Sequence, residues 1–407
     1  MLLNKPRAHK IIREAGLDVL IATHPDNVAY MSDYLCMSHR ITPGVQVYGI
    51  LPGDDSRPLG LVIPSLEVDA WAEQPGEIEQ VSVYGTLYRN RESSRELAAD
   101  DQRIYDHTIA NETPQDALAA LVATLDERGL ADAAIGVDES NLEAEAWKAM
   151  IAALPRARVV PAASLFRQIR MIKTEEEIRR MARSAEITER AIQHLFSCAR
   201  EGITERELAN QFNARVAELG GLPGFWIVSA GRRTAHTHAR QSDYAVRQGD
   251  FIKVDMGCTC NFYWSDVGRT KALGEPGDRE RRIYEILCAG LRAAIDRARP
   301  GAYASELYDT AIQTIRELGL PDYRRHHCGH GIGISVYDPP LIQPRDYQDI
   351  YGVGSEDVML EAGMAINLET PYYLLGECGF IVEETVVVRD DGPHVLTWMD
   401  HSPTISS

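Results

Sequence analysis

"GITERELANQFNARVAELG" runs from Gly202 to Gly220, and "GAYASELYDTAIQTIRELG" runs from Gly301 to Gly319. Both read glycine, four residues, Glu-Leu, a helical stretch and then Glu-Leu-Gly, at an offset of 99 residues. Each follows another helical segment (174–199 and 278–298) and precedes strand-like sequence. Self-similarity at a fixed offset marks a supersecondary unit that buries its apolar face only against a second copy. Two such helix–helix–strand units facing each other predict a curved sheet backed by helices, with a cleft on its open face.

Upstream of the first copy, "KTEEEIRRMARSAEITERAIQHLF" opens a long amphipathic helix. Thr174 and Glu177 have the spacing of a capping box. Ile178, Met181, Ala185, Thr188, Ile192 and Leu195 follow the three-four spacing of one buried face. A domain boundary is expected at 165–173, giving domains 1–168 and 169–407. Before it, strand and helix signals alternate: "DVLIATH" (18–24), "VYGILPG" (47–53), "LGLVIP" (59–64), "AAIGVDE" (133–139), the helical "NLEAEAWKAMIAAL" and "ARVVPA". That is an α/β domain, and without GxGxxG or a Walker loop it offers nucleotides no cradle.

The 407 residues suffice for two cores, and 60 acidic against 42 basic residues give a formal charge of −18. Such a surface disfavours nucleic acid and anionic membranes as partners; a saline habitat would give the same excess. Seven scattered cysteines make no disulfide framework, and Cys258 with Cys260 form CxC, not the CxxC of a zinc knuckle. With no leader-like or 18-residue apolar stretch, a cytoplasmic location is expected. Trp226 and Trp264 are expected in the core, and Arg269 as a carboxylate's structural partner.

After the first helical pair comes "QGDFIKVDMGCTCNFYWSDVGRT". Asp255 ends an apolar run and Asp266 follows 11 residues later, so the two strands of a hairpin would set both carboxylates side by side. In the second half, Glu369 ends "MAINLE" and Glu383 lies in "GFIVEETVVV"; alternation sends Glu384 to the other face, where it is expected to be solvated. His330 stands in the tight Gly-His-Gly of "HHCGHGIGISVYDPP" (326–340), and at least one of His326 and His327 is expected to be a surface or structural residue. Four acids in one pocket repel unless cations neutralise them. A pair of divalent metals resolves this and supplies a hydroxide nucleophile. Oxygen-rich ligands favour Mn, Co or Fe, with Zn compatible.

The spacing VD-x10-D, "GHGIG", "NLETPYY" and "VEETVVV" resemble the metal-binding pattern of the pita-bread family. That family holds Xaa-Pro aminopeptidases, prolidases and methionine aminopeptidases, together with creatinase, ectoine hydrolase and a dimethylsulfoniopropionate lyase. The resemblance implies a creatinase/prolidase-type N-terminal domain, an α+β pita-bread catalytic domain and a homodimer. It implies that Asp255 chelates one metal, Asp266 and Glu383 bridge two, and His330 and Glu369 bind the second. It further implies that Glu369 takes a proton from the bridging water, and that His238 in "RTAHTHARQSD" contacts the substrate or the developing charge. If the segment is extended, His236 is its neighbour on the opposite face.

Two positions depart from the peptidase pattern. Tyr337 stands where peptidase members carry a second histidine, and Ile381 where prolyl-specific members often carry arginine. A tyrosine can donate to an oxyanion, but its ordinary pKa near 10 suits it poorly to shuttling protons. The expectation is a dinuclear-metal hydrolase of the Xaa-Pro peptidase type, cleaving a dipeptide or short peptide through a metal-bridging hydroxide. The alternative keeps the metal site but turns over a small non-peptide, in the manner of ectoine hydrolase, creatinase or dimethylsulfoniopropionate lyase. All five ligand positions are present, which argues against a metal-free binding module.

Overall fold

The computed structural model describes residues 2–42, 44–73, 76, 78, 80–92, 95–110, 113–348, 352, 354 and 356–405. The chain divides into two compact units, Met1–Arg170 and Met171–Ser407.

The first unit is built on strands β1 (Val19–Ala22), β2 (Tyr48–Pro52), β3 (Gly60–Pro64), β4 (Gln80–Tyr84), β5 (Ala134–Val137) and β6 (Arg158–Pro161). They form one mixed sheet in the order β4-β3-β2-β1-β5-β6. Its central strands are buried at every position, the pattern of a sheet covered on both faces. Val19, Ile21, Ile50, Ile135 and Val137 pack with Leu121 and Leu125 of helix Ala117–Glu127 and Met150 of helix Ala144–Ala153. That last helix starts later than its sequence suggests. Asp138 accepts from Ser140 N at 3.2 Å and starts a 3-10 turn, Glu139–Asn141, so the chain is extended at Leu142 and Glu143 before the helix begins.

In the second unit the capping box forms: Thr174 Oγ1 accepts from Glu177 N at 3.3 Å, and Glu177 Oε2 accepts from Thr174 N at 2.7 Å. Helix Glu175–Ser197 buries all six residues of the expected face. Thr174→Ala is expected to cost about 1 kcal/mol, lowering this unit's melting temperature by roughly 2–4 °C in calorimetry. No shift would show that the helix start is held by something else.

The duplication is kept in the backbone. Helices Glu205–Glu218 and Ala304–Glu317 each lie between glycines in the left-handed region: Gly202 and Gly220, both at φ 86°, and Gly301 and Gly319, at 88° and 129°. Leu208 and Leu307, at matching places, are fully buried. The first copy supplies β7 (Leu222–Ala230), β8 (Phe251–Cys260), β9 (Tyr263–Trp264) and β10 (Val267–Ala272), ordered β10-β8-β7 with β9 on β8. The second supplies β11 (Gly329–Gly331), β12 (Asp338–Leu341), β13 (Ala365–Glu369), β14 (Tyr372–Leu374), β15 (Cys378–Phe380), β16 (Glu383–Arg389) and β17 (Gly392–Val395). Five of these form a sheet in the order β12-β11-β13-β16-β17, and β14 pairs with β15. One core joins β7, β8 and β10 to the first helix pair, and another joins β13 and β16 to the second. The sheets meet where Thr270 Oγ1 accepts from Ile381 N at 2.9 Å.

Three expectations about single residues are corrected or sharpened. Neither tryptophan is in the core: Trp226 is 37% exposed, and half-buried Trp264 stacks on Phe225 with ring centroids 6.2 Å apart. Glu384 is buried, not solvated, because the segment after β17 folds over that face of β16. It accepts from Arg269 at 2.9 Å and from Thr397 and His401. Arg269, fully buried, is the structural partner expected, pairing also with Glu189 at 3.6 Å.

Candidate metal centre

β8 and β10 run antiparallel with Gly268 opposite Asp255, and Asp266 lies one residue before β10. The hairpin therefore brings the two aspartates together, as their spacing suggests. On the other sheet Glu369, the last residue of β13, is the cross-strand partner of Glu383, the first of β16. His330 on β11 pairs with Asn367 on β13, which brings its ring to the same end. One carboxylate oxygen each from Asp255, Asp266 and Glu383 lie within 4.8 Å of one another. His330 Nε2 is 3.4 Å from Asp266 Oδ2, and Glu369 shares a hydrogen bond with Glu383. All five expected ligands thus converge, two from the first copy and three from the second.

Gly268 makes room for this meeting. A Cβ there would lie 2.7 Å from the Glu383 carboxyl carbon and 2.9 Å from Ile381. Gly268→Ala is expected to displace Glu383 and weaken Mn(II) binding about 10- to 100-fold, as disturbed ligand support does elsewhere, measured by titration against a fluorescent chelator. Unchanged affinity would mean that Glu383 has another route into the site.

The electrostatics are those of a site that wants cations. Burial, then repulsion from Asp266 and Glu369, pushes Asp255 up to about 8. Burial and the neighbouring acids hold Glu383 well above the usual carboxylate range. Glu369 goes the other way: burial alone would raise it, but His327 and Arg325 outweigh that and bring it to about 2. Asp266 Oδ1 and Glu383 Oε2 are buried with no hydrogen-bond partner. Orphaned anionic oxygens are costly, and a cation between them removes the cost. His330 Nδ1 lies 3.0 Å from Gly331 O; donation to that carbonyl leaves Nε2 with its lone pair, the usual arrangement of a ligating histidine. Carboxylates and one imidazole fit hard or borderline divalent ions.

Several residues around the acids escape a reading by motif. His327, 3% exposed, sets Nδ1 3.1 Å from Glu369 Oε1, and Arg325 approaches the same oxygen at 3.3 Å. His326 is half-buried, edge-on to His327. Lys253 is 1% exposed; its Nζ donates to His236 O at 2.8 Å and rests 4.7 Å from the centre of the Tyr373 ring. Its signal was available: a lysine inside the apolar "FIKVD", two residues before Asp255 and so on the same face of β8. Tyr337 lies flat on His330, with centroids 3.7 Å apart and planes 17° apart. His238 is exposed. The chain turns at His238 just after the 3-10 stretch Gly231–Ala235, so the segment is not extended there, and on a strand residues two apart would have shared one face in any case.

Residues 179–390 match metallopeptidase family M24, and residues 6–172 match the creatinase/prolidase N-terminal domain. The chain belongs to metallopeptidase family M24. Its two units are accordingly a creatinase-type N-terminal domain and a pita-bread C-terminal domain, and membership implies divalent metals. This M24 chain is 33% identical to the Xaa-Pro dipeptidase of Pyrococcus furiosus over 235 residues, 57% of this chain and 65% of that protein, just under two thirds of its length. It is 27% identical to the Xaa-Pro dipeptidase of Lactobacillus helveticus over 402 residues, 98% and 97% of the two chains. Among solved structures, prolidase from Pyrococcus furiosus superposes with a TM-score of 0.71 at 26% identity, covering 96% of this chain and 99% of that one.

Proposed function

We propose that the chain is a metal-dependent hydrolase of the Xaa-Pro peptidase type, acting on a dipeptide or short peptide. The carrying observation is the convergence of Asp255, Asp266, His330, Glu369 and Glu383, with two orphaned acid oxygens among them. In this reading Asp255 would serve one ion, His330 and Glu369 the other, and Asp266 and Glu383 both, with Mn(II) favoured by the oxygen-rich set. Bound ions would polarise the scissile carbonyl and acidify water. Glu369, kept ionised by Arg325 and His327, accepts the proton of the attacking water. His238 offers a donor to the substrate from the turn tied down by Lys253. A homodimer and a cytoplasmic location belong to the same reading; no described helix is long and apolar enough to cross a membrane, and all seven cysteines are free.

A panel of Xaa-Pro dipeptides with added Mn(II) tests it. Turnover that is lost with EDTA is expected; turnover of ectoine-type or sulfonium compounds with none of the peptides would replace it by the second reading, a small non-peptide substrate at the same centre. That second reading is favoured by Tyr337 lying against His330 in place of a second imidazole, and by buried Ile381 in place of an arginine. If the phenol donates to the oxyanion, Tyr337→Phe lowers kcat about 10²- to 10³-fold, the usual cost of one such donor, with KM little changed. An unaltered kcat would confine Tyr337 to packing.

A further inference from the structure

Glu205 opens helix Glu205–Glu218 but does not cap it, since Thr204 and Glu207 close that capping box between themselves. It is nevertheless fully buried, and both of its oxygens turn to the segment "AGRRTAHTHARQS" (230–242) between β7 and β8. Oε1 accepts from Ala230 N and from Arg233 Nε, each at 2.9 Å. Oε2 accepts from Ser242 N at 2.9 Å and from Ser242 Oγ at 2.7 Å. One carboxylate therefore grips both ends of the segment, through bonds of the strong, charge-assisted kind. Arg233 adds an inner bridge, donating from Nη2 to Arg240 O at 2.7 Å. The middle of the segment lies against the metal centre: His236 O accepts from Lys253 Nζ at 2.8 Å, two residues before Asp255. The second copy repeats the device with the partners exchanged. Ser305, in the first turn of helix Ala304–Glu317, donates from N and Oγ to Asp357 at 3.0 and 2.9 Å, and Asp357 accepts from Arg345 at 2.9 Å.

We infer that Glu205, with Arg233 and Ser242, positions His238 by clamping the segment that carries it. The ordering cost of that segment is met on folding and does not fall on substrate binding. The inference rests on His238 as a donor to the substrate and goes beyond it in naming what holds the histidine in place.

The test is a double-mutant cycle on the Mn(II)-loaded full chain, with the best dipeptide of the Xaa-Pro panel. Glu205→Gln and Arg233→Met are each expected to lower kcat/KM about 10- to 100-fold, as misplacing a group by about 1 Å does. The loss should divide between kcat and KM as it does in His238→Ala. In the His238→Ala background, which lacks the group being positioned, either change should cost less than about twofold. Should Glu205→Gln fold poorly by circular dichroism, Arg233→Met and Ser242→Ala, which leave the buried acid in place, carry the cycle. Bound Mn(II), by elemental analysis, should equal that of wild type. The same loss in both backgrounds, or metal lost in step with activity, overturns the inference and leaves the role of His238 standing. Full activity of His238→Ala overturns that role and the inference with it. Amide exchange needs no substrate: residues 231–242 should exchange about tenfold faster or more in Arg233→Met, as a locally freed segment does, and unchanged exchange there overturns the clamp whatever the substrate.

Discussion

Asp266→Ala and Glu383→Ala are each expected to reduce turnover by about 10³-fold or more, because metal assistance is worth several kcal/mol and each 1.36 kcal/mol is tenfold in rate. Both acids sit where three carboxylates crowd within 4.8 Å, and each has a buried oxygen without a donor. Metal content after Mn(II) supplementation should fall in step with activity. The same substitutions should act oppositely on the metal-free protein. Removing one of several mutually repelling buried acids relieves strain, so both variants should melt above wild type in EDTA. Full activity in either variant contradicts the assignment. Lost activity with a lower metal-free melting temperature would instead mark these acids as structural.

Arg269→Met is expected to be the most destabilising change in the second unit, by about 3–5 kcal/mol, the cost of stripping one partner from a buried ion pair. The guanidinium is fully buried and bonds Glu384, the Gly268 and Glu383 carbonyls and the Met399 carbonyl, with Glu189 at 3.6 Å. Without it, Glu189 and Glu384 lose the buried counter-charge they share. Urea denaturation measures the loss; a difference under about 1 kcal/mol would mean that water or a rearranged C-terminal segment replaces the arginine. Because Arg269 also grips the backbone of Glu383, weaker metal binding should accompany the loss.

The fold was legible where periodicity and turn chemistry carry it. The two glycine-bounded helices, the Thr174 capping box and the buried face of helix Glu175–Ser197 all follow from local spacing. The four acids and the imidazole were legible because a charge inside an apolar strand has to be answered by something. Lys253 obeys the same rule: a cation buried in the strand that carries Asp255 has to be answered too. Arg325 and His327 could not be assigned from sequence: their role depends on the crossing of β11 and β13, which brings residues far apart in the chain to one oxygen of Glu369. Glu384 was misread because alternation predicts only which face it takes. What covers that face, here Thr397, Met399 and His401, is decided by the route of the last residues. Nothing local in the sequence announces the 3-10 turn before His238.

The duplicated architecture has a mechanical consequence. Asp255 and Asp266 belong to one copy, and His330, Glu369 and Glu383 to the other, each copy with its own core. An ion gripped by both is a cross-link between two halves of the unit, closing a long loop of chain as a disulfide would. Chelation would then loosen the seam between the halves as well as silence the chemistry, and the first amides to lose exchange protection should be those where Thr270 meets Ile381.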